Sequence, residues 1–206
     1  MTTTTAEIRS FVAVSLPSVV QARILDAATS LAAALPAVRW SRKVENLHVT
    51  LKFLGDVAGD RLDQVGQALV QRLRAVPPFV IGLRGFGAFP SAGVASIIWA
   101  GIDDRQQSLA GVAALVEEVT AAFGFVPEER TFHGHITVGR TRERETVDAR
   151  PALSPWADHV FGEVAVVEAS VFESRLGREG STYVLRCRVP LGSHAPVPGE
   201  HSARPH

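Results

Sequence analysis

The sequence is nearly devoid of cysteine: Cys187 stands alone among 206 residues. An internal disulfide is therefore excluded, and no cysteine cluster exists to hold zinc. The chain also has no surplus of charge. Lys plus Arg and Asp plus Glu both number 21, so the formal net charge is zero. That balance does not imply a bulk electrostatic partner such as long duplex nucleic acid, and it leaves room for a local basic patch. Long apolar runs are missing too, and nothing approaches the ~20 residues that cross a bilayer. The stretch "FVAVSLPSVVQA" is broken by Pro17 and Ser18 and preceded by one cation, Arg9, unlike a secretory leader. These absences lead to the expectation of a cytoplasmic protein with no membrane partner. The chain is also expected to be a monomer, an expectation that these absences do not themselves supply.

What is present is an ordinary globular composition, 46% hydrophobic and 20% charged, with enough chain for one large domain or two small lobes. Phe11–Leu16 reads as a strand. Ile24, Ala27, Ala28, Leu31 and Leu35 fall at helical spacing over residues 18–35. "VRW" at 38–40 reads as a short strand, and Leu47–Leu54 as a longer one ended by Gly55. A helix follows over 60–74, with Leu62, Val65, Leu69 and Leu73 as its stripe. Strands are expected at Phe79–Phe86 and Val94–Ile102, joined by the turn cluster "GAFPSAG". A third helix spans 105–123, with Leu109, Val112, Val116, Val119 and Phe123 inward and Gly124 as its stop. A strand begins at His135, and two more are expected at Phe161–Glu173 and Thr182–Val189. The first residues, "MTTTTAEIRS", read as frayed. Residues 1–190 make one bilobal domain. The tail 191–206, rich in Pro, Gly, Ser and His, reads as disordered.

The strand "NLHVTLKFLG" poses a chemical question. Residues two apart share a strand face. Leu47, Val49 and Leu51 can therefore face a core while His48, Thr50 and Lys52 point together to the other side. The pattern recurs in "RTFHGHITVGRTR", where Ile136 and Val138 oppose His135 and Thr137. One His-x-Thr is a weak signal. Here, however, each follows a strand–helix unit. Phe11 precedes His48, and Ile98 precedes His135, by the same 37 residues. Two structurally similar lobes are implied. Facing each other, they would bring the two strands together.

In this order, "RSFVAVSLP", "NLHVTLKFLG", "GFGAFPS", "FHGHITVGRTR" and "VFESRLGREGSTYVL" resemble the landmarks of the RNA 2′,3′-cyclic phosphodiesterases. These are also called 2′-5′ RNA ligases and belong to the 2H phosphoesterase superfamily. The resemblance covers about residues 8–190. It departs before the second motif, where the family commonly has a basic residue and Pro and this chain has His133 and Gly134. The expected fold is α+β, with two pseudo-symmetric lobes, each an antiparallel sheet with helices on its outer face, and a cleft between them. The resemblance implies that His48 gives a proton to the leaving ribose oxygen, that His135 takes one from water, and that a 2′-phosphate results. Arg140, five residues past His135, matches a basic position that assists phosphate binding.

The residue types suit that chemistry. Opening a 2′,3′-cyclic phosphate needs a base for the attacking water, an acid for the departing oxygen, and donors for the phosphate oxygens. Two imidazoles near pKa 6.5 supply the first two. Threonine hydroxyls on the same faces supply the third, with no metal or other cofactor required. The residues alone give the histidine pair without saying which is acid. Lys52 shares the face of His48 and Thr50 and could add charge beside the phosphate. The odd offset of Arg140 points it to the wrong face unless a bulge at Gly139 re-aims it. Trp40 and Phe89 read as packing residues, with base stacking as the other use. Two rival readings stand. One is a metal-dependent phosphoesterase using His133, His135 and His48. The other is a non-catalytic module that binds RNA ends or nucleotides. The partners expected are RNA ends or nucleotides bearing a 2′,3′-cyclic phosphate.

Overall fold

The computed structural model describes residues 7–41, 43–142, 145–177 and 180–192. Among the described residues nine strands form two antiparallel sheets. The first contains β1 (Glu7–Ser15), β3 (His48–Ala58), β8 (Glu168–Gly177) and β9 (Gly180–Pro190) in the order β3-β1-β8-β9. The second contains β2 (Val38–Trp40), β4 (Phe79–Ser91), β5 (Val94–Asp103), β6 (His135–Thr141) and β7 (Val160–Val166) in the order β2-β6-β5-β4-β7. Three long helices connect them: α1 (Ser18–Ala32), α2 (Gly59–Leu73) and α3 (Ser108–Ala122). A short α4 (Arg150–Leu153) precedes β7.

The repeat is visible in the pairing. β1 leads through α1 to its antiparallel neighbour β3, and β5 leads through α3 to its antiparallel neighbour β6. The helices tie the halves together. α1 lies against β2, β6 and β7 of the second sheet, α2 against β3 and β9 of the first, and α3 against α2 and β3. The helical stripes read from the sequence are the faces that make these contacts. Leu62, Val65, Leu69 and Leu73 of α2 are fully buried, as are Ile24 and Leu31 of α1 and Leu109, Val112 and Val116 of α3. Each such side chain contributes roughly 1.5–3 kcal/mol by leaving water. One apolar cluster runs through both halves, so the sheets are held at a set spacing.

Several boundaries differ from the sequence-based expectation. Phe161–Glu173 is two strands, β7 in the second sheet and β8 in the first, and Val167 between them carries the chain across. "GAFPSAG" is mostly strand, because β4 continues to Ser91 and the turn is left to Ala92 and Gly93. Gly55 does not end β3. It takes a positive φ of 72° beside a register shift, and pairing resumes through Ala58. β1 starts at Glu7, where Ser10 pairs with both Gly55 and Glu173. The start of the tail is docked: Leu191 N–H donates to Val167 O (2.9 Å) and Gly192 N–H to Val76 O (2.7 Å). Residues 1–6 and 193–206, on which the expectations of a frayed start and a disordered end fall, lie outside the described residues. No helix among the described residues is long and apolar enough to cross a membrane.

Candidate active site

The two His-x-Thr strands approach each other across the gap between the sheets, with Cα atoms of β3 and β6 within 8 Å. Alternation sets the first half of each strand as expected. Leu47, Val49 and Leu51 are buried, as are Ile136 and Val138, while His48, Thr50, His135 and Thr137 are half-buried on the opposite faces.

Both histidines are held in the same way. His48 Nδ1 lies 2.9 Å from Asn46 O, and His135 Nδ1 lies 2.8 Å from His133 O. A carbonyl oxygen only accepts, so each Nδ1 carries the proton and donates it. In the neutral ring Nε2 is then the free lone pair. At His48 that lone pair accepts from the Thr50 hydroxyl at 3.1 Å. Asn46 is itself anchored, since its Nδ2 donates to Ser181 O of β9 at 3.1 Å. Each imidazole also rests on an aromatic ring. Phe11 stacks on His48 at 4.8 Å, with Tyr183 edge-on at 5.1 Å. Phe89 meets His135 edge-on at 5.0 Å, and Trp99 lies behind both rings.

A bulge follows each threonine. Lys52 pairs with Val12 and Thr50 with Ala13, so Leu51 has no opposite number. Gly139 pairs with Ile98 and Thr137 with Trp99, so Val138 has none. The extra residue inverts the alternation beyond it. Lys52 and Gly139 therefore turn inward and are buried, while Phe53 and Arg140 turn out and are exposed. This corrects the expected position of Lys52. It is 6% exposed, does not share the face of His48 and Thr50, and pairs with Glu117 of α3. For Arg140 the bulge lies at Val138, next to the glycine expected to host it, and sets the guanidinium on the face of His135. Gly139 has a separate reason to be glycine. An added Cβ would sit 2.6 Å from Val38 Cγ1 and 3.2 Å from Trp40 Cε3. Trp40 is therefore a packing residue, whereas Phe89 stands in the site.

The electrostatics favour neutral rings in the unliganded cleft. Burial pushes His48 down to about 4. The bond to Asn46 opposes this, and a positive charge on His135 would add to it. His135 is also lowered, by burial first and then by the charges of His133 and Arg140, against the bond to the His133 carbonyl. An anion placed between them reverses both pressures. Among the described residues no three His, Cys, Asp or Glu side chains stand close enough to hold a metal. The alternative ligand set of His133, His135 and His48 is thus not assembled.

Several site residues escaped the sequence reading. A cavity of about 270 Å³ opens beside His48, walled by Phe11, Leu47, Phe172 and Tyr183, with Ser15 and Glu45 as polar groups. Trp99 is accommodated by Gly87, where an added Cβ would lie 2.2 Å from its ring. Equal spacing between Phe11 and His48 and between Ile98 and His135 was the available signal for Phe11. Nothing local pointed to Tyr183 or Trp99.

Comparison with known proteins identifies the family and the fold. The model of the LigT like phosphoesterase family matches residues 14–99 and 102–183. A protein of Aeropyrum pernix named RNA 2′,3′-cyclic phosphodiesterase is 32% identical over 154 residues, covering 74% of this chain and 86% of its own. One of the same name from Methanothermobacter thermautotrophicus is 30% identical over 178 residues, covering 86% and 95%. The crystal structure of Escherichia coli LigT complexed with 3′-AMP superposes with a TM-score of 0.71 at 26% identity, covering 91% of this chain and 99% of that one.

Proposed function

Because the chain belongs to the LigT like phosphoesterase family, we propose that it hydrolyses a 2′,3′-cyclic phosphate at an RNA or nucleotide end to a 2′-phosphate. His48, His135, Thr50 and Thr137 would do the chemistry, and Arg140 would assist by binding the phosphate. The observation that carries this reading is the matched anchoring of the two imidazoles. Each has its Nδ1–H tied to a carbonyl two residues upstream, which leaves the lone pair on Nε2, and the two strands converge across one cleft.

The steps follow from that arrangement. A cyclic phosphate held between the strands puts its non-bridging oxygens within reach of Thr50, Thr137 and Arg140. Its negative charge raises the histidine pKa values from their depressed unliganded state, so that one ring is imidazolium and the other neutral. The neutral Nε2, taken as that of His135, removes a proton from water as the oxygen attacks phosphorus. The imidazolium, taken as that of His48, gives its Nε2 proton to the 3′ oxygen as the P–O3′ bond breaks. The Nδ1–carbonyl bonds keep each ring oriented throughout. The Thr50 hydroxyl, which donates to His48 Nε2 in the unliganded site, turns to a phosphate oxygen once that nitrogen is protonated. The apolar cavity beside His48 takes the terminal nucleoside.

The test is incubation with an oligonucleotide ending in a 2′,3′-cyclic phosphate, with chelator present, and identification of the ribose oxygen that keeps the phosphate. A 2′-phosphate is expected. His48→Ala and His135→Ala should each lower kcat by about 10²–10⁴ with little change in KM. Unaltered turnover in both variants overturns the assignment. Binding of the oligonucleotide without turnover makes the chain a binding module.

A further inference from the structure

Arg39 lies directly opposite Arg140 in the β2–β6 ladder. Opposed residues in an antiparallel pair share a sheet face, with Cβ atoms ~5 Å apart, and like charges so placed repel. Their neighbours fix which face this is. Val38 and Trp40 flank Arg39 and pack over the buried Gly139. Arg39 and Arg140 therefore point the other way, onto the face of His135 and Thr137. Both are exposed. Among the described residues neither makes an ion pair. The charge of Arg140 also reaches the His135 imidazole. Two guanidinium groups without an ion-pair partner among the described residues thus stand side by side next to the cleft, where a shared or neighbouring anion would be stabilised.

We propose that Arg39 and Arg140 form a two-phosphate site. Arg140 faces the reacting phosphate, and Arg39 takes the next phosphodiester toward the 5′ end of an RNA strand. The inference rests on the function proposed above and narrows its substrate class to oligonucleotide ends over cyclic mononucleotides, which lack the second phosphate. A guanidinium binds a phosphodiester through paired N–H donors. Because the contact is to the backbone, it carries no preference for base.

The experiment compares kcat/KM for a trinucleotide ending in a 2′,3′-cyclic phosphate with that for a cyclic mononucleotide, in wild type, Arg39→Ala and Arg39→Lys. The trinucleotide-to-mononucleotide ratio should fall about tenfold in Arg39→Ala, chiefly through KM, and lie between the two in Arg39→Lys. The slope of log kcat/KM against log salt on the trinucleotide should flatten by ~0.7. A ratio that stays at the wild-type value overturns the proposal, whether because Arg39 is idle or because both arginines grip one phosphate. If wild type turns over neither substrate, the proposed function fails. Binding then decides the inference, with a trinucleotide bearing a terminal 2′-phosphate compared with a nucleoside 2′-phosphate. A tenfold larger loss for the former in Arg39→Ala supports the two-phosphate site, and equal losses overturn it.

Discussion

Lys52 Nζ lies 2.8 and 2.7 Å from the two carboxylate oxygens of Glu117 and 3.0 Å from Val126 O. It therefore links β3, two residues past Thr50, to α3 and to the segment leading into His135. Removing one partner of a buried pair leaves the other charge uncompensated, at a cost of 3–5 kcal/mol when both are fully buried. Glu117 is partly open to solvent, which reduces the cost. Lys52→Met should lose about 2–3 kcal/mol in urea denaturation, and Lys52→Met/Glu117→Leu should regain most of it. KM should stay within about threefold of wild type, because the ammonium does not face the cleft. A double variant no more stable than the single one would remove the pair from this role.

The histidine anchors give a spectroscopic expectation. At neutral pH both rings should show a protonated Nδ1 and an unprotonated Nε2 in ¹⁵N spectra, and His48 should titrate near 4. Its folded pKa lies below the unfolded value of ~6.5. Between those values the unfolded chain binds the extra proton, so stability falls as pH drops through that window and is unaffected by this group above it. The loss is on the order of 3 kcal/mol. His48→Gln should flatten that part of the profile. A His48 titration at or above 6.5 would contradict the burial argument.

Rates should reveal the same depression. kcat/KM reports the unliganded enzyme and kcat the complex. Both unliganded histidines are lowered, so the protonated acid is scarce at neutrality. kcat/KM should decline from pH 6.5 to 8.5, while kcat, measured with the phosphate bound, holds its plateau to higher pH. Superimposable profiles would show that the bound anion does not lift the imidazolium.

Much of this was readable from periodicity. The stripes of α1, α2 and α3 and the His-x-Thr alternation obey local spacing, and burial follows them except at Val119 and Phe123, which are half-buried where the expected stripe turns inward. Legibility ends at the bulges. Leu51 and Val138 look like ordinary inward residues, yet their lack of a partner reverses the side chains next along the strand, and the error about Lys52 came from this. In β3 a second shift at Leu54 restores the first phase, so Val57 is buried again. The division between β7 and β8 was hidden for a related reason. Val164, Val166, Ala169 and Val171 are all buried, and the one sign of a change of sheet is the three-residue step from Val166 to Ala169. Tyr183 and Trp99 join the cleft, and Arg39 comes opposite Arg140, through strand pairing, which no local pattern encodes.

Thr50 offers the closest test of how hydroxyl and imidazole work together. In the unliganded site its hydroxyl donates to the lone pair of the neutral His48 Nε2; when that nitrogen is protonated the same oxygen can accept from it. With phosphate bound the same hydroxyl is free to donate to a non-bridging oxygen, where charge builds in the transition state. Thr50→Val keeps the shape and removes the donor. Loss of one such donor lowers kcat by about 10²–10³ where it meets developing charge. Thr137→Val should lower kcat similarly. Thr50→Ser, which retains the hydroxyl, should restore kcat. A Thr50→Val enzyme with kcat intact would confine the hydroxyl to the resting state and leave the phosphate to Thr137 and Arg140.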